Sequence, residues 1–252
     1  MKKLFRKSIS NLLFLIFRNK IVKKKIKYSE LSISYPIVQH LNFFLKKEVE
    51  YEPEIQNKIK NQIGKASLIF DIGANIGQYM LFFSQISKRN TRIISIEPNK
   101  DCFNTLKLNV DVNQLSNVTL LNNAVGEDNK EVLLGIDKET GGRMSSTKNL
   151  DMFDHKQRIS QVSLLSIIEK FGKPDFIKVD TEGGESSIFN KENYSYILDT
   201  VVLVEVRGET KEYIFNIFKK HSCFCIETNS EIYSYNEIPD FADLIFTPKL
   251  TA

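Results

Sequence analysis

The stretch "IFDIGANIGQYM", residues 69–80, decides the fold of this chain of 252 residues. An apolar run ends at Asp71, glycines follow at positions 73 and 77, and an apolar helical pattern begins directly after them. This order predicts a strand, a glycine turn and a helix. Doubly wound sheets bind their ligands at the carboxyl ends of their strands, so the turn lies where a ligand site is expected.

The segments after this turn continue the alternation of strands and helices. Short β-branched runs predict further buried strands in "RIISIEP", "NVTLLNNAVG", "PDFIKVDTEGGE" and "TVVLVEVRG", with closing strands near residues 223–228 and 243–246. Helical patterns lie between them, for example in "DCFNTLKLNVDVN" and "KEYIFNIFKK". This alternation is typical of a mostly parallel sheet covered on both faces, and so predicts a doubly wound α/β fold.

Residues 126–162 interrupt the alternation. "EVLLGI" and "RISQVSL" predict the strands of an inserted hairpin. The polar segment 137–157 between them is either a mobile loop at the substrate or a disordered insertion.

The chain begins with a strongly basic segment. Residues 1–28 contain ten lysines and arginines and no acid, which leaves the rest with 25 basic and 31 acidic residues. We expect residues 1–50 to form a basic N-terminal helical extension, broken at Pro36, and residues 51–252 to form the main domain. The helix predicted near the start either packs on the domain or lies on anionic lipid at the inner face of the membrane. Its run of six apolar residues, 12–17, is too short to span a bilayer.

The rest of the composition narrows the class of protein. The acidic main domain disfavours a nucleic-acid groove. The three cysteines, Cys102, Cys223 and Cys225, lack the spacing of metal ligands and predict buried thiols in a reducing cytoplasm.

The glycine turn does not have the pattern of a phosphate site. The dinucleotide fingerprint G-x-G-x-x-G and the P-loop are both absent. The Asp71 carboxylate would repel a phosphate but suits an ammonium group, and Glu97, at the end of the next strand, can accept both hydroxyls of a ribose. No lysine or arginine occurs between residues 69 and 85. S-adenosylmethionine is a ligand that carries an amino group and a ribose but no phosphate, so these features point to it. Alternatively, the segment is a plain turn in which Asp71 caps the helix.

Five segments together resemble the FkbM-type S-adenosylmethionine-dependent methyltransferases. They are "FDIGANIGQY", "SIEPNKDCFNTLKLNV", "LLNNAVGED", "FIKVDTEGGE" and "VLVEVRG", in the order and spacing of that family. The resemblance covers residues 51–248. It implies the class I, Rossmann-like methyltransferase fold, with a seven-stranded sheet whose last strand is antiparallel.

The resemblance also implies a role for particular residues. Asp71, Gly73, Asn75 and Gly77 would hold the methionine part of the cofactor, Glu97 its ribose, and Asn123 and Ala124 would lie beside its adenine. By the same resemblance, the transferred methyl group would lie near Asp180, Glu182 and Glu185. The family often has a histidine after Glu-Val at the end of the fifth strand, where this chain has Arg207.

The carboxylates at the strand ends suggest two mechanisms. Asp180 or Glu182, with Glu205 on the neighbouring strand, is a general base for a hydroxyl acceptor. Alternatively, these carboxylates hold a divalent cation that acidifies the acceptor. We favour the base, without a metal. Arg207 is either a surface residue or a clamp for an anionic acceptor, and Arg143 in the loop is a second candidate contact for such an anion.

We therefore expect a methyltransferase that acts on oxygen, with a sugar, a glycan or glycolipid, or another small molecule as its acceptor. One alternative is a methyltransferase-like binding module without catalysis. Another is a nucleic-acid methyltransferase, although "DTEG" stands where base-methylating enzymes typically have a [DN]-P-P-[YFW] turn.

Overall fold

The fold is built on one large sheet. The computed structural model describes residues 20–37, 46–137, 145–148, 150–153 and 155–249. Within these ranges, the largest sheet has eight strands: β4 (Leu68–Ile72), β5 (Arg92–Ile96), β6 (Val118–Leu121), β11 (Phe176–Val179), β12 (Val201–Arg207), β13 (His221–Cys225), β14 (Ser230–Ile232) and β15 (Phe241–Pro248).

The strand order is β14-β13-β15-β12-β11-β4-β5-β6. Strands β6, β5, β4, β11 and β12 are parallel, and β15 runs antiparallel to both of its neighbours. Apart from the short edge strand β14, this is the predicted seven-stranded, mostly parallel sheet with its last strand antiparallel. The order changes direction at β4, so the carboxyl ends of β4 and β11 flank the crevice where such sheets bind ligands.

Helices cover both faces of the sheet. The described helices are α1 (Pro53–Ile63), α2 (Gln78–Ile86), α3 (Lys100–Val112), α4 (Leu164–Phe171), α5 (Glu185–Ile188), α6 (Lys191–Tyr194) and α7 (Gly208–Ile217), with 3-10 turns at Leu150–Met152, Ser195–Ile197 and Tyr235–Glu237. Side chains of β4 alternate between two cores: Phe70 packs in the core that includes α4 and α7, and Ile69 packs in the core that includes α1 and α2. None of the helices among the described residues is long and apolar enough to cross a membrane.

The helical extension is wrong for the described part of residues 20–50. These residues form a small sheet of β1 (Ile21–Ile26), β2 (Ser32–Pro36) and β3 (Glu48–Val49). Two side-chain amides decide this. Asn109 on α3 bonds to the backbone N–H and C=O of Ser34, at 2.6 and 2.9 Å. Asn113, directly after α3, bonds to the same two groups of Ser32, at 2.8 and 2.7 Å. Partners so distant in sequence overrule the local helical pattern. The remaining residues of the extension, 1–19 and 38–45, lie outside the described ranges, and the domain boundary at residue 50 stays a prediction.

The inserted hairpin is confirmed. Strands β8 (Lys130–Ile136) and β10 (His155–Ser163) pair antiparallel, in a four-stranded sheet with β7 (Ala124–Gly126) and β9 (Ser145–Ser146). This second sheet places residues 145–148 beside the carboxyl ends of the main sheet, where they line the clefts described below.

Candidate functional site

The glycine turn between β4 and α2 is held against two neighbouring strands. The Gly73 and Ala74 N–H groups donate to the Ile96 carbonyl at the end of β5, at 2.9 and 3.0 Å. Gly73 has a φ of +78°, and a Cβ at this position would lie 1.8 Å from the carbonyl oxygen of Asp180, just after β11. A Cβ at Gly77 would lie 2.7 Å from a Leu106 methyl carbon on α3. The contact with the Asp180 backbone therefore requires glycine at position 73, and a φ of +97° favours glycine at position 77, whatever binds at the turn.

Asp71 does not lie on the wall of the ligand crevice. It projects from β4 on the same face as Ile69, and in register it stands between Ser95 on β5 and Lys178 on β11. Its side chain is fully buried, and neither of its oxygens has a hydrogen-bond partner in the described part of the chain. Burial raises the pKa of Asp71 to about 6, against the opposing effect of the Lys178 ammonium. Asp71 thus lies buried beside Lys178 and does not line the first cleft described below.

Lys178 is the residue that sequence reasoning missed. Its buried ammonium donates to a carboxylate oxygen of Asp180 at 3.2 Å and to the Gly73 carbonyl at 3.4 Å, and lies 4.9 Å from the centre of the Tyr79 ring. Burial acts to lower the pKa of Lys178, but Asp180 and Asp71 outweigh it and the pKa is raised. A lysine within the apolar run "FIKVD" was the available signal, because a buried lysine requires a buried counter-charge.

A tyrosine connects this lysine to the start of the main domain. The Tyr79 hydroxyl donates to Glu52 at 2.6 Å, and Glu52 precedes α1 with a φ of 41°. The ring of Tyr51 meets that of Tyr79 edge to face, with centroids 5.8 Å apart. Burial raises the pKa of both tyrosines well above the ordinary value, so both hydroxyls stay protonated.

Glu97 lies at the end of β5, with its carboxylate on the crevice wall. Its two oxygens accept the backbone N–H groups of Asn75, at 2.8 Å, and Asn99, at 2.7 Å. Burial raises the pKa of Glu97 to about 7, although both of these hydrogen bonds favour the ionised form. Asn122 donates to the Glu97 carbonyl at 2.8 Å and so fixes the strand end.

These groups open onto a cleft with about 610 Å³ of empty space, which we call the first cleft. It brings together seven of the residues singled out in the sequence, namely Gly73, Asn75, Glu97, Asn123, Ala124, Asp180 and Glu182; its remaining lining is Ile72, Ile96, Pro98, Val125, Leu134, Ser145, Ser146, Thr147, Thr181 and Gly184. No lysine or arginine is among its described lining residues. Carboxylates beside an apolar wall suit a ligand that carries positive charge.

The turn after β11 presents Glu182 to this cleft. Glu182 has a φ of 55°, and Glu185, the first residue of α5, holds the turn with one carboxylate oxygen. That oxygen accepts the N–H groups of Thr181 and Gly183, at 3.2 and 3.1 Å, and the Thr181 hydroxyl at 3.0 Å. Glu185 is 1% exposed and lines neither of the two clefts described in this section, so its place in the structure is that of a support for the turn.

Arg207 is bound to two carboxylates. Its guanidinium forms an ion pair with Glu182 and another with Glu205, the latter at 3.2 Å, and packs over the Phe241 ring. Burial raises the pKa of Glu182, with Arg207 opposing it. Burial and Asp180 raise the pKa of Glu205 to about 8. Because its charge is already matched, Arg207 is not a free clamp for an anion.

A second cleft, with about 1180 Å³ of empty space, adjoins the first. Glu182, Ser145 and Ser146 line both clefts and form the wall between them. The second cleft is completed by Lys148, Met152, Phe153, Gly183, Ser186, Arg207, Gly208, Glu209 and Thr210. The Phe153 ring packs against Gly135 on the hairpin, where a Cβ would lie 2.4 Å from it.

The other predicted residues lie elsewhere. Gly77 and Glu205 line neither cleft, and Arg143 falls outside the described residues. Across the described ranges, no group of three or more histidine, cysteine, aspartate or glutamate side chains is placed to hold a metal ion. The three cysteines are buried free thiols.

One family of known proteins matches this chain. The family described as the methyltransferase FkbM domain matches residues 71–240, which contain the turn, both carboxylate strand ends and the hairpin. No curated protein has a significant match to the chain.

Solved structures of methyltransferases are similar at low sequence identity. A precorrin-6y C5,15-methyltransferase from Geobacter metallireducens is 13% identical, with a TM-score of 0.48 over 81% of this chain and 93% of that one. A methyltransferase FkbM from Methylobacillus flagellatus is 19% identical, with a TM-score of 0.46 over 83% of this chain and 53% of that one. An O-methyltransferase from Bacillus cereus in complex with SAH is 14% identical, with a TM-score of 0.44 over 83% and 86%.

Proposed function

The chain belongs to the FkbM methyltransferase family, and from this premise we propose that it transfers a methyl group to a hydroxyl oxygen of a sugar, a glycan or glycolipid, or another small acceptor. Membership implies S-adenosylmethionine as the cofactor. When bound, this cofactor supplies an electrophilic methyl group on a sulfonium. The observation that carries the proposal is the wall shared by the two clefts, where a carboxylate, Glu182, faces both.

The residues of the first cleft fit this cofactor. Glu97 has the lone pairs to accept ribose hydroxyls in addition to its two backbone donors. Asn123 and Ala124 line the same cleft and would lie beside the adenine. Gly73, Asn75 and Asp180 line its other part and would hold the methionine end, with Asp71 and Gly77 acting from behind the turn. The lack of lysine and arginine in the described lining favours a cationic ligand.

The second cleft would hold the acceptor, with Glu182 as the base. A base must reach the proton that it removes, and Glu182 is the candidate that lines both clefts. Burial raises the pKa of Glu182 and so makes its carboxylate a stronger base, while the ion pair with Arg207 favours the ionised form. Glu182 takes the proton of the acceptor hydroxyl. Asp180 and Glu205 are the neighbouring candidates: Asp180 is bound by Lys178, and Glu205 orients Arg207.

Methyl transfer with detection of the product tests this function. The full chain is incubated with S-adenosylmethionine that carries a tritiated methyl group and with a panel of glycosides, and the methylated atom is located by NMR. We expect a methyl ether. We also expect Glu182→Gln to lower kcat by about a hundredfold or more while S-adenosylhomocysteine still stabilises the protein.

Glu212→Gln is the matched control, because Glu212 lies exposed on α7 and lines neither cleft, and it should keep full turnover. Full turnover by Glu182→Gln would remove this residue as the base, and a label on nitrogen or carbon would contradict O-methylation. Turnover that is lost in EDTA and restored by Mg²⁺ would instead favour the divalent-cation mechanism.

We further propose that the enzyme is cytoplasmic and contacts the inner face of the membrane through residues 1–28. In support, Lys23 and Lys25 lie on the exposed face of β1 beside the half-exposed Ile21. Sedimentation of the full chain with phosphatidylserine vesicles tests this. Binding should be lost at high salt and in Lys23→Gln/Lys25→Gln; vesicles of phosphatidylcholine that bind equally well would contradict it.

A further inference from the structure

Among the described residues, the second cleft contains a cation, Lys148, that forms no ion pair. Lys148, Glu182, Arg207 and Glu209 are the charged residues of its described lining. The Arg207 guanidinium is paired with Glu182 and Glu205, and Glu209 is exposed to solvent. Lys148 forms no ion pair with any residue of the described ranges.

The position of Lys148 is set by the fold. Its ammonium donates to the Ser186 hydroxyl on α5 at 2.9 Å, and its backbone N–H donates to the Ser146 hydroxyl at 3.1 Å. An ammonium has three donors, and Ser186 takes one of them. Within the described ranges, the other two donors of this half-buried cation have no partner. A partly desolvated charge is stabilised when a counter-charge is bound.

In the described lining of the second cleft, Lys148 is the cation without an ion pair, because the Arg207 guanidinium is bound to Glu182 and Glu205. The uncharged part of the described lining consists of hydroxyl groups, glycines, Met152 and the Phe153 ring, which suit the hydroxyls and the apolar face of a sugar.

We propose that Lys148 binds an anionic group, a carboxylate or a phosphate, on the sugar acceptor, and so selects acidic or phosphorylated sugars over neutral ones. This inference rests on the function proposed above. Arg207 is already bound to two carboxylates, so the inference assigns recognition of the anion to Lys148 instead.

Binding of matched probes tests the inference. The full chain, saturated with S-adenosylhomocysteine, is titrated with methyl β-D-glucuronide, glucose 1-phosphate and neutral methyl β-D-glucoside, with calorimetry as the readout. We expect at least one anionic probe to bind about tenfold more tightly than the neutral one, which is the strength of one charge-assisted hydrogen bond. The glucuronide and the phosphate arms distinguish a carboxylate from a phosphate as the natural group.

Variants of Lys148 distinguish recognition of the anionic group from a purely structural role of this lysine in the hairpin. Lys148→Met should abolish the preference for the anionic probe, and Lys148→Arg should keep it. Lys156→Met is the matched control on the same hairpin, because Lys156 lies on β10 and lines neither cleft, and it should keep the preference. Ser186→Ala, which removes the anchor but not the charge, should weaken the preference without abolishing it.

Equal binding of all three probes, binding of none, or a preference that survives in a folded Lys148→Met protein would overturn the inference. Stabilisation by S-adenosylhomocysteine distinguishes the two failures. If it stabilises the chain and the preference is absent, only the recognition by Lys148 fails; if it gives no stabilisation, the proposed function itself fails.

Discussion

The substitution Gly73→Ala tests the close approach of the turn to β11. An alanine Cβ would lie 1.8 Å from the Asp180 carbonyl oxygen and 2.8 Å from its carbon. Neither backbone can move away freely, because the Asp180 N–H is bonded to Ile72 at 3.1 Å and the Gly73 N–H to Ile96 at 2.9 Å. The new methyl group must therefore force the carboxyl ends of β4 and β11 apart.

The magnitude follows from two costs. A non-glycine residue at a φ of +78° costs about 1–2 kcal/mol, and overpacking of a close contact costs about 1–3 kcal/mol. We expect the free energy of unfolding to fall by about 2–5 kcal/mol, which for a chain of this size lowers Tm by about 5–15 °C. Because Gly73 and Asp180 both line the first cleft, the affinity for S-adenosylhomocysteine should also fall, by about tenfold or more.

Two matched glycines separate the clash from the backbone strain. Gly183 has a φ of +99°, and no atom lies within 4 Å of the position that an added methyl group would occupy, so Gly183→Ala should cost only about 1–2 kcal/mol. Gly64 has a φ of −62°, and Gly64→Ala should be neutral or stabilise the protein by up to about 1 kcal/mol. Differential scanning calorimetry and calorimetric titration with S-adenosylhomocysteine provide the measurements. If Gly73→Ala has the same Tm as Gly183→Ala and binds S-adenosylhomocysteine as tightly as the unmodified protein, the reasoning from the close approach is refuted.

Three further predictions concern pH and packing. Because the pKa of Glu97 is about 7 and a ribose hydroxyl donates to the carboxylate form, affinity for S-adenosylhomocysteine should fall as the pH drops through 7. Glu97→Gln should bind more weakly with a flatter pH profile; an unchanged profile would contradict the role of this carboxylate. Glu205 has a raised pKa, so the unfolded chain ionises first as the pH rises from 4.5 towards 8, and the folded state loses stability over that window. Chemical unfolding at several pH values measures this. Between pH 5 and pH 8, the free energy of unfolding of Glu205→Gln should rise by about 1–3 kcal/mol relative to that of the unmodified protein. A difference that stays constant with pH would contradict the prediction. Asn109→Ala leaves the N–H and C=O of Ser34 and the Ile76 carbonyl without their partner, and should cost about 2–4 kcal/mol and speed proteolysis of β2; equal proteolysis rates would contradict the anchoring role.

Much of the main sheet could be predicted from local sequence. The apolar run before Asp71, the glycines after it and the helical pattern that follows predict β4, the turn and α2, and the structure confirms all three. The inserted hairpin was equally predictable. The reason is physical: strand period, helix period and glycine turns are properties of a few adjacent residues.

The sequence predicted many of the residues of the candidate site but not how they are arranged in space. Strand ends of a parallel sheet meet at one edge, which is why Glu97, Asp180 and Glu182 could be expected together. Which face Asp71 occupies follows from its register beside Lys178, 107 residues later in the chain. The pairing of Arg207 with Glu182 and Glu205 likewise could not be read from any single segment.

The sequence by itself determined the layers of the domain, the turn and the set of carboxylates at the strand ends, because each depends on local patterns. Only the tertiary structure decided that Ile21–Ile26 and Ser32–Pro36 are strands rather than helix, since Asn109 and Asn113, far along the chain, bind the backbone of Ser34 and Ser32. It alone decided that Gly73 is required by the Asp180 carbonyl, that Lys178 neutralises buried acids, and that Glu182 stands between two clefts. These features depend on contacts between segments far apart in the chain, and such contacts exist only once the sheet has formed.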